Sequence, residues 1–263
     1  MDYRGALVDL DGTVYRGGEL VPGALDGLDT LRERGLDVLF VTNNPTRSPA
    51  AYADRLAALG LDVAPDRILS AGAVTATYLA ENHAEDRVFV IGSDGLRAQF
   101  RERDLHMTED PERADVVVTS HDFGFDYDDL TAGLWALREA ETFVGTDPDL
   151  TYPDADGRDF PGSGAITRAV GGVARREPDH VFGKPSLETL DLALARIDHA
   201  PSECFVVGDR PDTDVAFGER AGMTTALVLS GSTRESDLGA LSPRPDYVLD
   251  DLSDVEQVLD GTV

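Results

Sequence analysis

Short apolar runs rich in β-branched residues alternate along the chain with stretches whose apolar positions recur at helical spacing. The runs predict strands over residues 6–9, 37–42, 87–91, 114–119, 142–145, 203–208, 224–229 and 246–249. Helical patterns fall between them, over residues 23–34, 49–59, 71–82, 127–141, 186–197 and 213–221. Pro22, Pro49 and Pro211 stand at or just before helix starts, where a missing N–H does no harm. Strand and helix taking turns in this way predicts an α/β fold around a mostly parallel sheet. No fixed-period repeat interrupts the pattern, so a solenoid is excluded.

Several predicted strands end in chemically active residues. Leu7-Val8-Asp9-Leu10-Asp11-Gly12-Thr13 runs from an apolar strand into two carboxylates two positions apart. Taken alone, that segment is equally well read as a strand entering an Asp-Gly turn. A second apolar run, Val38-Leu39-Phe40-Val41, ends in Thr42-Asn43-Asn44, a hydroxyl and amides suited to phosphate oxygens. A third segment is Phe182-Gly183-Lys184-Pro185-Ser186, and a fourth is Val206-Val207-Gly208-Asp209-Arg210-Pro211-Asp212-Thr213-Asp214. In an open parallel sheet the ligand site lies outside the carboxyl ends of the strands, so these four segments are expected to converge. Each is common by itself, and the set in this order is specific.

Composition sharpens the reading in two ways. With 50 acidic against 23 basic residues the net charge is −27, which repels nucleic acid and anionic lipid and argues against both as partners. The acids are spread through every segment, as expected of a protein adapted to a salt-rich cytoplasm, where a Debye length of about 3 Å at roughly 1 M salt screens self-repulsion. Stability should then fall when salt is diluted, and full stability in dilute buffer would count against that adaptation. Every Lys/Arg position is arginine except Lys184, which sits inside the Gly-Lys-Pro segment. Cys204 is the only cysteine and lies in an apolar run, so no disulfide framework or thiolate metal site is available. No signal peptide and no membrane-length apolar run are evident, which predicts a cytoplasmic location.

The residue types belong together chemically. Two like charges at about 4 Å repel by about 4 kcal/mol at an effective dielectric of 20, so a phosphate dianion will not approach bare carboxylates. A hard divalent cation held by Asp9, Asp209 and a backbone oxygen removes that repulsion, and Mg²⁺ suits such an oxygen-only site. Lys184 adds a compact positive charge between nucleophile and phosphoryl group.

With these motifs in place the chain resembles the haloacid dehalogenase (HAD) superfamily, in its 4-nitrophenylphosphatase-like branch with a C2-type cap. The resemblance rests on Asp9-Leu10-Asp11-Gly12-Thr13, Thr42-Asn43-Asn44, Gly183-Lys184-Pro185 and Gly208 to Asp214, and extends to Gly145-Thr146-Asp147-Pro148-Asp149 and Pro161-Gly162-Ser163-Gly164-Ala165. It implies a Rossmann-like core from residues 1–73 and 182–263, with an α/β cap inserted as residues 74–181. It also implies a phosphatase acting on small-molecule phosphate monoesters. Asp9 would be the nucleophile and form an aspartyl-phosphate. Asp11 would be the acid and then the base, and Thr42, Asn43 and Lys184 would hold the phosphoryl oxygens. Mg²⁺ would sit among Asp9, Asp11, Asp209 and Asp214, with Asp212 the weaker alternative to Asp214. Thr146, Asp147 and Asp149 in the cap are candidates for leaving-group choice, within a segment running to Arg158.

Other features carry less. Gly162-Ser163-Gly164 lacks the third glycine of a dinucleotide fingerprint and is better read as opening a cap helix. Asp154, Asp156 and Asp159 miss the spacing of a calcium loop. The five histidines show no metal-ligand spacing. Tyr127 and Trp135, on a pattern with Leu130, Leu134 and Leu137, read as core packing or as a cap face through which a homodimer would form. Two other functions share the core motifs: a phosphoryl-accepting signalling or binding module, and a phosphotransferase.

Overall fold

The computed structural model describes residues 2–153 and 158–262. Contacts divide the chain into two compact units: Met1–Thr42, Tyr52–Leu69 and Lys184–Val263 form the first, and Asn43–Ala51 with Ser70–Gly183 the second.

The first unit carries a six-stranded sheet. Its order across the sheet is Tyr247–Leu249, Thr224–Val228, Cys204–Gly208, Gly5–Val8, Asp37–Thr42 and Ile68–Ser70. The central strands are parallel, with Val8 opposite Val207 on one side and Phe40 on the other. From Gly5–Val8 the chain first adds strands in one direction, then returns through Cys204–Gly208 to add strands in the other. The order therefore reverses between Gly5–Val8 and Cys204–Gly208, the topological switch point at which open α/β sheets bind ligands. Strands buried on both faces read as continuous apolar runs, and Gly5–Val8 and Cys204–Gly208 are buried throughout. Ser186 caps the helix Leu187–Ile197 by accepting from the Thr189 N–H, one reason the helix begins directly after the Gly-Lys-Pro segment.

The second unit has its own parallel sheet, ordered His180–Val181, Thr142–Gly145, Val116–Thr119 and Val88–Ile91, and a two-stranded hairpin of Thr151–Pro153 with Asp159–Pro161. Phe89, Ile91, Val117, Phe143, Ile166 and Val170 form its core with Ala136 and Leu137 of the helix Tyr127–Glu139. Tyr127 and Trp135 are exposed, which removes the core-packing reading. Gly133, Ala136 and Leu137 make the buried face of that helix instead, because Gly133 lets Val170 and Ile91 approach to distances no side chain would permit. Gly162 precedes the helix Ser163–Ala174, as its sequence suggested. Asp154 and Asp156 lie outside the described residues. Among the described residues no helix is long and apolar enough to cross a membrane.

Candidate active site

The register of the first sheet brings the motif-bearing ends together. Because Val8 faces both Phe40 and Val207, the next residues, Asp9, Val41 and Gly208, lie at one level, and the Asp9 N–H donates to the Val207 carbonyl at 2.9 Å. Asp9, Thr42, Asp209 and Asp214 are all buried there.

Lys184 is at the centre, only 2 % exposed. Its Nζ donates to Asp9 Oδ1 at 2.5 Å, Asp214 Oδ1 at 2.6 Å and the Val41 carbonyl at 2.8 Å. An ammonium has three N–H donors, and here all three are used on two carboxylates and the end of a strand. Burial alone would lower the Lys184 pKa, but the Asp214 and Asp9 carboxylates outweigh it and hold the ammonium above its usual range.

Asp214 is delivered by a widened helical turn, Pro211–Val215, that follows the strand Cys204–Gly208. Its second oxygen accepts from the Arg210 N–H at 3.0 Å. The turn folds back so closely that a Cβ on Gly208 would stand 2.2 Å from the Asp214 carboxyl carbon, so only glycine fits there. Asp212, on the same turn, is exposed and paired with Arg210 at 3.1 Å. Asp214 rather than Asp212 therefore joins the cluster.

Asp209 is set by a loop that the motif reading did not single out. Ser232 N–H donates to Asp209 Oδ2 at 2.5 Å, and the Thr233 hydroxyl donates to the Asp209 carbonyl at 2.6 Å. Ser230 donates to the Gly12 carbonyl at 2.9 Å. The only available signal was position: this Ser-Gly-Ser-Thr run follows Thr224–Val228, the neighbour of Cys204–Gly208 in the sheet.

Asp11 lies beyond the end of its strand and is exposed. The chain turns there through Gly12 at φ +94°, a left-handed conformation that favours glycine. The Asp11 carboxylate accepts from the Tyr15 hydroxyl at 3.3 Å, while Thr13 donates to Asp9 Oδ2 at 3.4 Å. Thr42 ends its strand in the first unit; Asn43, next in the chain, groups with the second, where its amide donates to Asp149 at 3.2 Å. Thr146 and Asp147 are buried in the second unit and hydrogen-bonded to each other at 3.0 Å.

The electrostatics of the first unit's cluster are unbalanced. Burial pushes Asp9 well above the usual carboxylate range; Lys184 pulls the other way, and Asp214 and Asp209 add to the rise. Burial and the Asp214 charge lift Asp209 to about 6, against hydrogen bonds from Ser232. Oxygens of Asp9, Asp209 and Asp214 lie within 4.8 Å of one another, three buried acids of which two are bound to one ammonium. The surplus of negative charge and the all-oxygen donor set fit a hard divalent cation, which would lower these pKa values.

Known proteins resemble the chain over nearly its whole length. A family model described as haloacid dehalogenase-like hydrolase matches residues 6–106, and one described as HAD-hydrolase-like matches residues 181–255. The sugar-phosphatase AraL of Bacillus subtilis is 33% identical over 254 residues, covering 97% of this chain and 92% of the relative. The 5'-nucleotidase YutF of the same organism is 32% identical over 252 residues, covering 96% and 95%. Among solved structures, the p-nitrophenyl phosphatase from Archaeoglobus fulgidus matches with a TM-score of 0.90 at 33% identity, over 98% of this chain and 100% of that one.

Proposed function

Since the chain belongs to the haloacid dehalogenase-like hydrolases and is an enzyme of their phosphatase branch, we propose that it hydrolyses small-molecule phosphate monoesters through an aspartyl-phosphate on Asp9. The observation that carries this reading is the buried Lys184 ammonium bound at once to Asp9 and Asp214 beside Asp209.

In the first step a carboxylate oxygen of Asp9 bonds to phosphorus as the bond from phosphorus to the ester oxygen breaks, and Asp11 gives its proton to that oxygen. In the second, Asp11, now a carboxylate, takes a proton from water. The water oxygen bonds to phosphorus, the acyl phosphate bond breaks, and Asp9 and inorganic phosphate are released. Thr42, with Asn43 as its chain neighbour, holds the phosphoryl oxygens in line, and the Lys184 ammonium, its N–H groups engaged by Asp9, Asp214 and Val41, attracts them by its charge. Asp9, Asp209, Asp214 and the backbone oxygen of Asp11 would hold Mg²⁺, whose chemistry is to offset the negative charge of phosphate and carboxylates. Such transfer depends on positioning and charge, and these side chains supply both.

Residues 74–181 are read as the inserted cap, with leaving-group choice assigned to the region of Thr146, Asp147 and Asp149. Sugar phosphates are the first class to test, given the activity named for the 33% identical relative. The homodimer expected through the cap is supported by exposed Tyr127, Trp135 and Phe123; light scattering that gives a monomer at high concentration would remove it.

The decisive experiment measures phosphate release from sugar phosphates, nucleotides and 4-nitrophenyl phosphate in molar KCl, with Mg²⁺ and with chelator. Release that needs Mg²⁺ and falls at least about 10⁴-fold in Asp9→Asn is the expected result. An active Asp9→Asn protein would sink the mechanism, and phosphate appearing on a second organic acceptor would make the protein a phosphotransferase.

A further inference from the structure

The proposed acid and base, Asp11, presents a mechanical problem. Its side chain is exposed and lies past the end of the strand. A group that must reach the leaving oxygen at hydrogen-bond distance works best when its orientation is set before the substrate arrives.

Tyr15 supplies a fixed point. Its ring is 1 % exposed and packs in the core cluster that includes Tyr52 and Leu56. The Arg55 guanidinium lies over the ring face, 4.5 Å from the centroid, and donates a hydrogen bond to the Gly17 carbonyl. The backbone is clamped too: Tyr15 N–H donates to the Leu10 carbonyl at 3.1 Å, and Gly12 N–H donates to the Tyr15 carbonyl at 2.8 Å. From this frame the phenol reaches Asp11 Oδ2 at 3.3 Å.

We propose that Tyr15, braced by Arg55, is a positioning residue for Asp11, holding Oδ2 so that Oδ1 faces the leaving group's oxygen. The inference rests on the reading of Asp11 as acid and base. It concerns orientation: a phenol in a packed core loses little further freedom when it holds a carboxylate in place.

Leaving groups separate this role from a structural one. An alkoxide needs a proton as it departs, whereas 4-nitrophenolate leaves with little help. The test compares kcat on 4-nitrophenyl phosphate with kcat on whichever alkyl ester, glycerol phosphate or a hexose phosphate, the wild type turns over fastest. It uses Tyr15→Phe, Asp11→Asn and the double variant. The ratio of the two rates is independent of the folded fraction. Tyr15→Phe is expected to lower kcat on the alkyl ester about tenfold, a part of the 10²–10⁴-fold typical of general acid catalysis, with KM little changed. That loss should be at least about fivefold greater than on the aryl ester. In the Asp11→Asn background the same change should be silent on both esters, since its target is gone. Equal losses on the two esters, or an undiminished loss in the Asp11→Asn background, would overturn the positioning role while leaving Asp11 as the acid. If Asp11→Asn itself fails to discriminate between the esters, the acid assignment falls and the role of Tyr15 falls with it.

Discussion

The two units bury carboxylates in opposite ways. In the first, the three donors of Lys184 satisfy Asp9, Asp214 and a strand carbonyl, and Asp209 lies close to those two acids. In the second, Asp147 is just as buried at 2 % exposure, yet the groups that hydrogen-bond it are neutral: the Thr146 and Ser163 hydroxyls and the Asp149 N–H. Burial, reinforced by the Asp149 charge, pushes Asp147 to about 8, so near neutrality it is largely a protonated acid. Burial drives both sites towards protonation; a cation at the first opposes it. The two sites thus differ by what stands opposite the carboxylate, and under the proposed mechanism the nucleophile would need the ammonium and the metal together.

Removing the ammonium should break the contrast most severely. Lys184→Met leaves Asp9 and Asp214 buried without their partner, a change that typically costs about 3–5 kcal/mol, and phosphate release should vanish with it. Lys184→Arg keeps the charge, but a planar fork cannot match three acceptors that all lie within 2.8 Å of one nitrogen, so activity should fall about 10²–10³-fold. Denaturant melts and phosphate release check both, and a Lys184→Arg enzyme within a few-fold of wild type would show that only charge matters. Mg²⁺ comes next in size. At about 100 times its Kd it should stabilise the folded chain by about 2.7 kcal/mol in thermal melts, and Asp209→Asn should lose most of that shift. An unchanged shift would place the cation elsewhere.

The elements of this contrast were unevenly legible in the sequence. Asp9, Thr42 and Asp209 stand at the ends of apolar runs long enough to read as strands, and a parallel sheet aligns such ends, so their meeting followed from pattern alone. The preference for Asp214 over Asp212 came from the family resemblance and not from pattern, because its physical basis is a widened turn and a missing Cβ at Gly208. Ser232 and Thr233 act on Asp209 through sheet adjacency, which a Ser-Gly-Ser-Thr run does not announce. Tyr15 reaches Asp11 because the chain reverses at Gly12, while by sequence it is one more aromatic in an apolar segment. Tyr127 and Trp135 misled in the other direction: periodicity weighs large side chains, but a close helix packing at Gly133 is made by the absence of one. Ile68–Ser70, three residues long, is too short to register as a strand.

A pH dependence is the most direct test of the second unit's half of the contrast. Asp147 has its folded pKa raised from 3.8 to about 8, so over that interval the folded chain binds a proton that the unfolded chain has released. Stability contributed by this group is complete below about 4 and is lost as pH rises through about 8. Asp147→Asn imitates the protonated acid and has no such slope. Its melting temperature relative to wild type should therefore climb steadily between pH 4 and pH 8 and level off above, whatever the offset from altered hydrogen bonds. A flat difference across that range would mean Asp147 is ionised when folded. A charge in the second unit would then be balanced by some group other than the hydroxyls and N–H that surround it, and the distinction between the two sites would collapse to one of degree.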